Sequence, residues 1–303
     1  MLDDREKGIL LGMIRRAAAF SGIEVYTYAL MDNHFHLLVR VPGKREVTEE
    51  ELRRRVVALY GKERAGRLFA EWVKRERKGK SAVVQAEKER LKRRMHDLSQ
   101  FCKTFKEAYT QDYNRRHDNT GTIWEGRFKS LLVEGAARAL LTVAGYIHLN
   151  PVRAGMAENP EEAENSGYGA ACGGDEAAQA GLEGLVARAK GKGKAKASDE
   201  GGGGKVVEWE EAREVCRDSM EGKIGKDVSR EAEGEGGGEE RILYGLLRER
   251  RTGFLHGGAL GGAGFLQEVA ALLPPRVRRK SEGLLDGYFC LRLASAMGVR
   301  EAS

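Results

Sequence analysis

Cysteine is scarce in this sequence: four residues in 303, scattered at Cys102, Cys172, Cys216 and Cys290. No C-x-x-C pair occurs, which excludes a zinc finger and a disulfide framework. There is no run of about 18 apolar residues that could span a membrane. The Gly/Ala/Leu-rich stretch 253–273 comes nearest, but it carries His256, Gln267 and Glu268. The opening Met-Leu-Asp-Asp-Arg-Glu-Lys-Gly is charged and acidic, unlike a secretory signal. No internal repeat is visible. These gaps lead to the expectation of a cytoplasmic protein with no membrane partner.

Charge and glycine are abundant, and both are unevenly placed. Charged residues make up 32% of the chain, yet the net charge is only +6. Residues 44–106 hold 20 Lys/Arg against 10 Asp/Glu, a local net of +10 that leaves −4 for the remainder. A basic N-terminal half suits a polyanionic partner. For any single charge run, a solvated helical face with i,i+4 pairing is the plainer reading. The 40 glycines cluster late in the chain.

The spacing predicts a helix over 3–20, with Leu10, Leu11, Ile14 and Ala17 on one stripe and Asp3 or Asp4 as its cap. A hairpin follows over 23–41, turning at Met31-Asp32-Asn33. Helical patterns cover 49–78 and 82–116, the latter as one long helix or two in tandem. The latter part of 123–133 alternates as a strand. A helix over 136–149 is expected to stop there, because a residue before proline avoids the α region and Asn150 precedes Pro151. Three domains are expected: a folded unit over 1–168, a flexible Gly/Lys/Glu-rich region over 169–240 with one short helix near 209–220, and a small, mainly helical region over 241–303. In the last, helices are expected at 241–250, 265–273 and 281–295.

The most informative stretch is Met31-Asp32-Asn33-His34-Phe35-His36-Leu37-Leu38-Val39. Strand residues alternate faces, so His34 and His36 project from one side, with Cα atoms roughly 7 Å apart. Both imidazoles can then reach one metal ion. The plainer reading is a polar hairpin end. The second stretch is Tyr146-Ile147-His148-Leu149-Asn150-Pro151-Val152-Arg153-Ala154-Gly155, where Tyr146 and Asn150 lie four apart on one helical face. A tyrosine can attack phosphorus and form a covalent phosphotyrosine. A metal can polarise the phosphate oxygens. Two imidazoles and one amide oxygen suit Mg²⁺ or Mn²⁺ in use, though imidazoles alone accept other metals. For a lone tyrosine, helix packing is the plainer reading.

Together these stretches resemble the REP-associated tyrosine transposases, a group of the single-tyrosine HUH transposases. Tyr-Asn-Arg-Arg-His at 113–117 and Gly-Thr-Ile-Trp-Glu-Gly-Arg-Phe-Lys-Ser at 121–130 agree as well, so the resemblance covers residues 3–168. It implies an α+β, ferredoxin-like HUH domain with helices on one side of its sheet. It also implies an enzyme that cleaves and rejoins single-stranded, hairpin-bearing DNA through a 5′-phosphotyrosine. Carried over by position, Tyr146 is the nucleophile, His34 and His36 are metal ligands, and Asn150 is the third ligand. The divalent cofactor is Mg²⁺ or Mn²⁺. Trp124, Arg127 and Lys129 are expected to meet DNA, and Lys103, Lys106, Arg115 and Arg116 to line the basic side. Core anchoring is an equal reading for Trp124. His148, on another helical face, is expected to pack or to touch DNA. Monomer and homodimer are both compatible with the resemblance.

The sequence departs from that pattern in three places. Members of the family open with a strand before the first helix, whereas this sequence starts at the helix. That departure is read as a misassigned start, a decayed gene or a strand supplied by a partner. Residues 44–97 form a long basic insertion. Phe254-Leu255-His256-Gly257-Gly258 stands where some members have a Phe-x-Asp-Gly-like turn. Two other functions therefore stand beside the enzyme: an inactive, truncated or domesticated transposase that grips DNA hairpins without cutting, and, ranked last, an unrelated metal hydrolase.

Overall fold

The first helix, α1 (Asp4–Ser21), begins where the Asp3 carboxylate accepts the Glu6 amide and ends at Gly22. Gly22 sits at φ 70°, in the left-handed region, and a Cβ there would collide with the Arg55 guanidinium. Glycine at this position therefore has both a conformational and a packing reason. The computed structural model describes residues 2–191 and 207–221, the strands 258–260 and 287–294, and Phe265. Over these residues the chain is a mixed α+β protein with more helix than strand.

The strands are β1 (Glu24–Leu30), β2 (His34–Val41), β3 (Lys129–Val133), β4 (Gly258–Leu260) and β5 (Gly287–Ala294), in spatial order β1-β2-β5-β3-β4. β5 runs antiparallel to both neighbours: His36 lies opposite Arg292, and Lys129 lies opposite the same Arg292. The sequence pattern predicts a helix over 281–295, so β5 is a correction. Its alternation Tyr288-Phe289-Cys290-Leu291-Arg292-Leu293 suits a strand that has partners on both edges. The helix expected at 241–250 lies outside the described residues, as do the Gly/Glu segment 233–240 and nearly all of 265–273.

Helices cover both faces of the hairpin, whereas the family resemblance implies one side. Phe35, Leu37 and Val39 point to a core built with α1 and α5 (Leu98–Arg116), alongside Leu10, Ile14, Phe101 and Tyr109. Leu38, Leu131 and Val133 point the other way, to α6 (Ala137–Arg153), α8 (Glu176–Ala189) and α9 (Trp209–Met220). Each fully buried Leu, Ile or Phe contributes about 1.5–3 kcal/mol. β1 carries an irregularity between Val25 and Thr27, which turns both Tyr26 and Thr27 toward the α6 side.

Three further boundaries differ from the sequence expectation. The helix expected over 49–78 breaks at Gly61, φ 79°, into α2 (Glu49–Tyr60) and α3 (Lys62–Arg77). With α4 (Ser81–Lys92) these close a third core around Phe20, Leu52, Val56, Trp72 and Leu91. The expected boundary at 168 falls inside α7 (Gly167–Cys172). α8 and α9 bury Leu182, Leu185, Val186 and Cys216 in the same core as α6, so this unit extends well past 168. Finally, α6 runs through Pro151 to Arg153. Proline removes one amide and its bond to the carbonyl four residues back, but so near the end only one turn feels the loss. The Ala154 amide still bonds the Asn150 carbonyl at 3.0 Å. Among the described residues, no helix is long and apolar enough to cross a membrane.

α1 and α5 are joined by a charged cluster within their core. The Glu6 carboxylate accepts the Tyr109 hydroxyl at 2.7 Å, pairs with Arg116 and lies 3.0 Å from His117 Nε2. The Arg116 guanidinium, foremost, holds its carboxyl down from 4.5 to about 2. A depressed carboxyl stabilises the fold above its unfolded pKa and loses that contribution as pH falls toward 2. Glu6→Gln is expected to lower stability at pH 7 by roughly 2–3 kcal/mol and to flatten the acid limb between about pH 4.5 and 2. Urea midpoints measured across that range check both.

Candidate active site

The hairpin turn closes with the Met31 amide on the His34 carbonyl at 2.8 Å, so β2 starts at the first histidine. Strand alternation then aligns the two imidazoles, and their Nε2 atoms stand 3.1 Å apart. The rings meet edge to face, with centroids 4.9 Å apart. The Asn33 side-chain oxygen lies 2.7 Å from His34 Nδ1. A carbonyl oxygen can only accept, so Nδ1 carries the proton and the lone pair of neutral His34 sits on Nε2. His36 is buried, at 1% exposure, and His34 lies at the rim.

Tyr146 comes from the helix packed against this face. Its ring centroid lies 5.7 Å from that of His36, edge to face. The Asn150 amide nitrogen donates to the Tyr146 carbonyl at 2.8 Å, which orients the side chain along the helix and leaves its oxygen as an acceptor. The Arg153 guanidinium stands 5.5 Å from the Tyr146 ring centroid. Tyr146, Asn150 and Arg153 are spaced i, i+4, i+7, so one helical stripe carries all three. Arg153 belongs to the sequence motif, but the motif alone gives it no role. The spacing is its signal, and it is masked by the expectation that the helix stops before Pro151.

Two imidazole nitrogens each about 2.1 Å from a shared ion, at a right angle, would stand about 3 Å apart. At 3.1 Å the two Nε2 atoms stand within hydrogen-bond distance of each other, a separation that a shared divalent ion would also accept. The Asn33 contact would serve as outer support were His34 to bind an ion. Among the described residues, no group of three or more His, Cys, Asp or Glu side chains could hold a metal. A third protein donor here would have to be of another type.

The chain matches no family model, no curated protein and no solved structure.

The other expected site residues separate into groups. Lys129 shares its strand face with Leu131 and Val133, the α6 side, and so lies on the histidine–tyrosine face. Arg127, just before β3, is exposed. Lys103, Lys106, Arg115 and Arg116 belong to α5, across the sheet from Tyr146. Arg115 and Arg116 pair with Asp112, and Arg116 also with Glu6. Lys103 faces Glu107 at 3.8 Å. Trp124 is a core residue at 5% exposure, edge-on to Phe35, with its indole N–H donated to the Lys106 carbonyl at 3.3 Å. Of the two readings of this tryptophan, anchoring is the one observed.

His148 is packing, not a surface contact. It is fully buried, stacks on Tyr168 with centroids 5.3 Å apart, and holds the Thr27 hydroxyl at 2.8 Å. Burial pushes its imidazole down to about 3. Because the folded pKa lies below the unfolded one, stability falls as pH drops beneath the ordinary histidine value of 6.5. The His148 ring nitrogens are expected to show no titration between pH 8 and pH 4 by nitrogen-15 NMR. A midpoint near 6.5 would mean that the pocket admits water.

Proposed function

We propose that this chain is a metal-dependent DNA strand transferase of the tyrosine transposase kind, which cleaves and rejoins single-stranded, hairpin-bearing DNA through a 5′-phosphotyrosine. The observation that carries this reading is the convergence of His34, His36 and Tyr146, with Nε2 atoms 3.1 Å apart and the tyrosine ring 5.7 Å from His36. The sheet order supports a ferredoxin-like reading. In a ferredoxin-like sheet the first strand is central, and β5 here is central and antiparallel to both neighbours.

In this mechanism His34 and His36 would hold a Mg²⁺ or Mn²⁺ ion, with the Asn150 side-chain oxygen as the candidate third donor. When bound, the ion polarises the non-bridging phosphate oxygens and steadies the leaving 3′-oxygen. The Tyr146 oxygen attacks phosphorus: an oxygen–phosphorus bond forms, the bond to the 3′-oxygen breaks, the phenolic proton leaves to solvent and the 3′-oxygen is protonated. Arg153 offers donors to the same phosphate from the next turns of the helix. One phosphoester replaces another, so rejoining by a second 3′-hydroxyl needs no ATP. Lys129 and Arg127 contribute cations at the strand that borders the site.

The test is a denaturing gel of labelled hairpin DNA incubated with the protein and Mn²⁺. A covalent adduct is expected with the native chain and none with Tyr146→Phe. Bound but intact DNA from the native chain would instead support the non-cutting hairpin-binding function. Asn33→Ala removes only the outer support of His34, so it is expected to weaken Mn²⁺ activation of adduct formation about 10- to 100-fold without abolishing it. His148→Gln is expected to leave the Mn²⁺ requirement unchanged.

A further inference from the structure

Much of the charge in the basic insertion is neutralised within the protein. Arg53, Arg67 and Lys92 lie against Glu49, Glu63 and Glu89. Arg75 takes both Glu71 and Glu87, and Lys88 takes Glu49 and Glu76. The carboxylates near the α3–α4 turn are thus already engaged. Lys74, Arg77, Lys78 and Lys80 are exposed and make no salt bridge among the described residues. Residues 74–80 hold five Lys/Arg against one Glu.

Lys74, Lys78 and Lys80 border an open cavity of about 360 Å³, whose lining also includes Glu71, Arg75 and Val83. α4 begins at Ser81 with no side-chain cap, so its first amides add partial positive charge at the same turn. No aromatic ring lines the cavity, and Trp72 of the same helix is buried with its indole N–H on Glu87. Single-stranded bases are ordinarily held by stacking. Backbone phosphates need only cations and amides. The cluster also extends past the cavity to Arg77, more charge than one small anion requires.

We propose that the α3–α4 turn is a second nucleic-acid contact, one that grips the phosphate backbone of a duplex stem independently of base sequence and of the Tyr146 site. It rests on a DNA partner, as proposed above, but not on cleavage. Binding is therefore read in EDTA, by fluorescence anisotropy of a labelled DNA hairpin titrated between about 50 and 200 mM salt, concentrations that span the usual steep range. The variant carries Lys74→Gln, Lys78→Gln and Lys80→Gln together. A control carries Arg53→Gln, Arg67→Gln and Lys92→Gln, which remove the same charge from paired positions. The turn variant is expected to bind at least about tenfold more weakly at low salt, and its log–log salt slope to flatten by about 2–3, close to 0.9 for each phosphate no longer neutralised. The control is expected to change the slope by less than about one. Equal effects of the two variants, or none from the turn variant, would overturn the proposal. So would poly-glutamate displacing the labelled hairpin as well as unlabelled hairpin does, which would assign the turn to an acidic polypeptide. Native chain that forms the adduct but is indifferent to the turn variant would sink this inference alone. Native chain that binds no DNA would sink both.

Discussion

The period-two alternation of β2 is the constraint on which the rest depends. One side of His34–Val41 carries Phe35, Leu37 and Val39 into the α1–α5 core. The other side carries His34, His36 and then Leu38 toward α6. A slip of one residue would drive two imidazoles into the α1–α5 core and swing Phe35, Leu37 and Val39 to the α6 side. Burial of the apolar side therefore fixes where the histidines point. The site inherits its geometry from hydrophobic packing on the opposite face.

The tyrosine helix supplies the second half of the site under a different constraint. α6 is buried along most of its length, and its apolar residues set its rotation against the sheet. That rotation brings Tyr146 to His36 and buries His148 two residues later. Continuation through Pro151 costs one backbone bond and gains a turn, and that turn places Arg153 over the tyrosine ring. On the far side of the sheet, Glu6 ties α1 to α5 through Tyr109, Arg116 and His117. A cation that a sequence suggests for a ligand can thus be committed to the protein itself.

The same division runs through the basic insertion. Much of what looks like one charge run is intramolecular pairing at helical spacing, which is worth little per pair and leaves little field for a partner. The cations left over gather at one turn because the nearby carboxylates are shared by Arg75 and Lys88. Composition reports the sum of such charges, whereas a partner would meet only the remainder.

Much of this was legible in the chain itself. The hairpin, the paired histidines, the tyrosine stripe and the capped first helix all rest on local spacing, which fixes side-chain direction before any long-range contact exists. Three features were not legible. β5 needs two neighbours, Phe35 and Leu131 among their residues, to become a strand rather than a helix. α8 owes its order to the core it shares with α6, in a region whose glycine content suggests a linker, whereas α9 falls where a short helix is expected near 209–220. The reach of α6 past Pro151, and with it the place of Arg153, depends on the packing that buries that proline. The sequence by itself determined which residues share a face, because that follows from backbone period. Only the tertiary structure decided which faces meet, because that depends on apolar surface and charges brought together from distant parts of the chain.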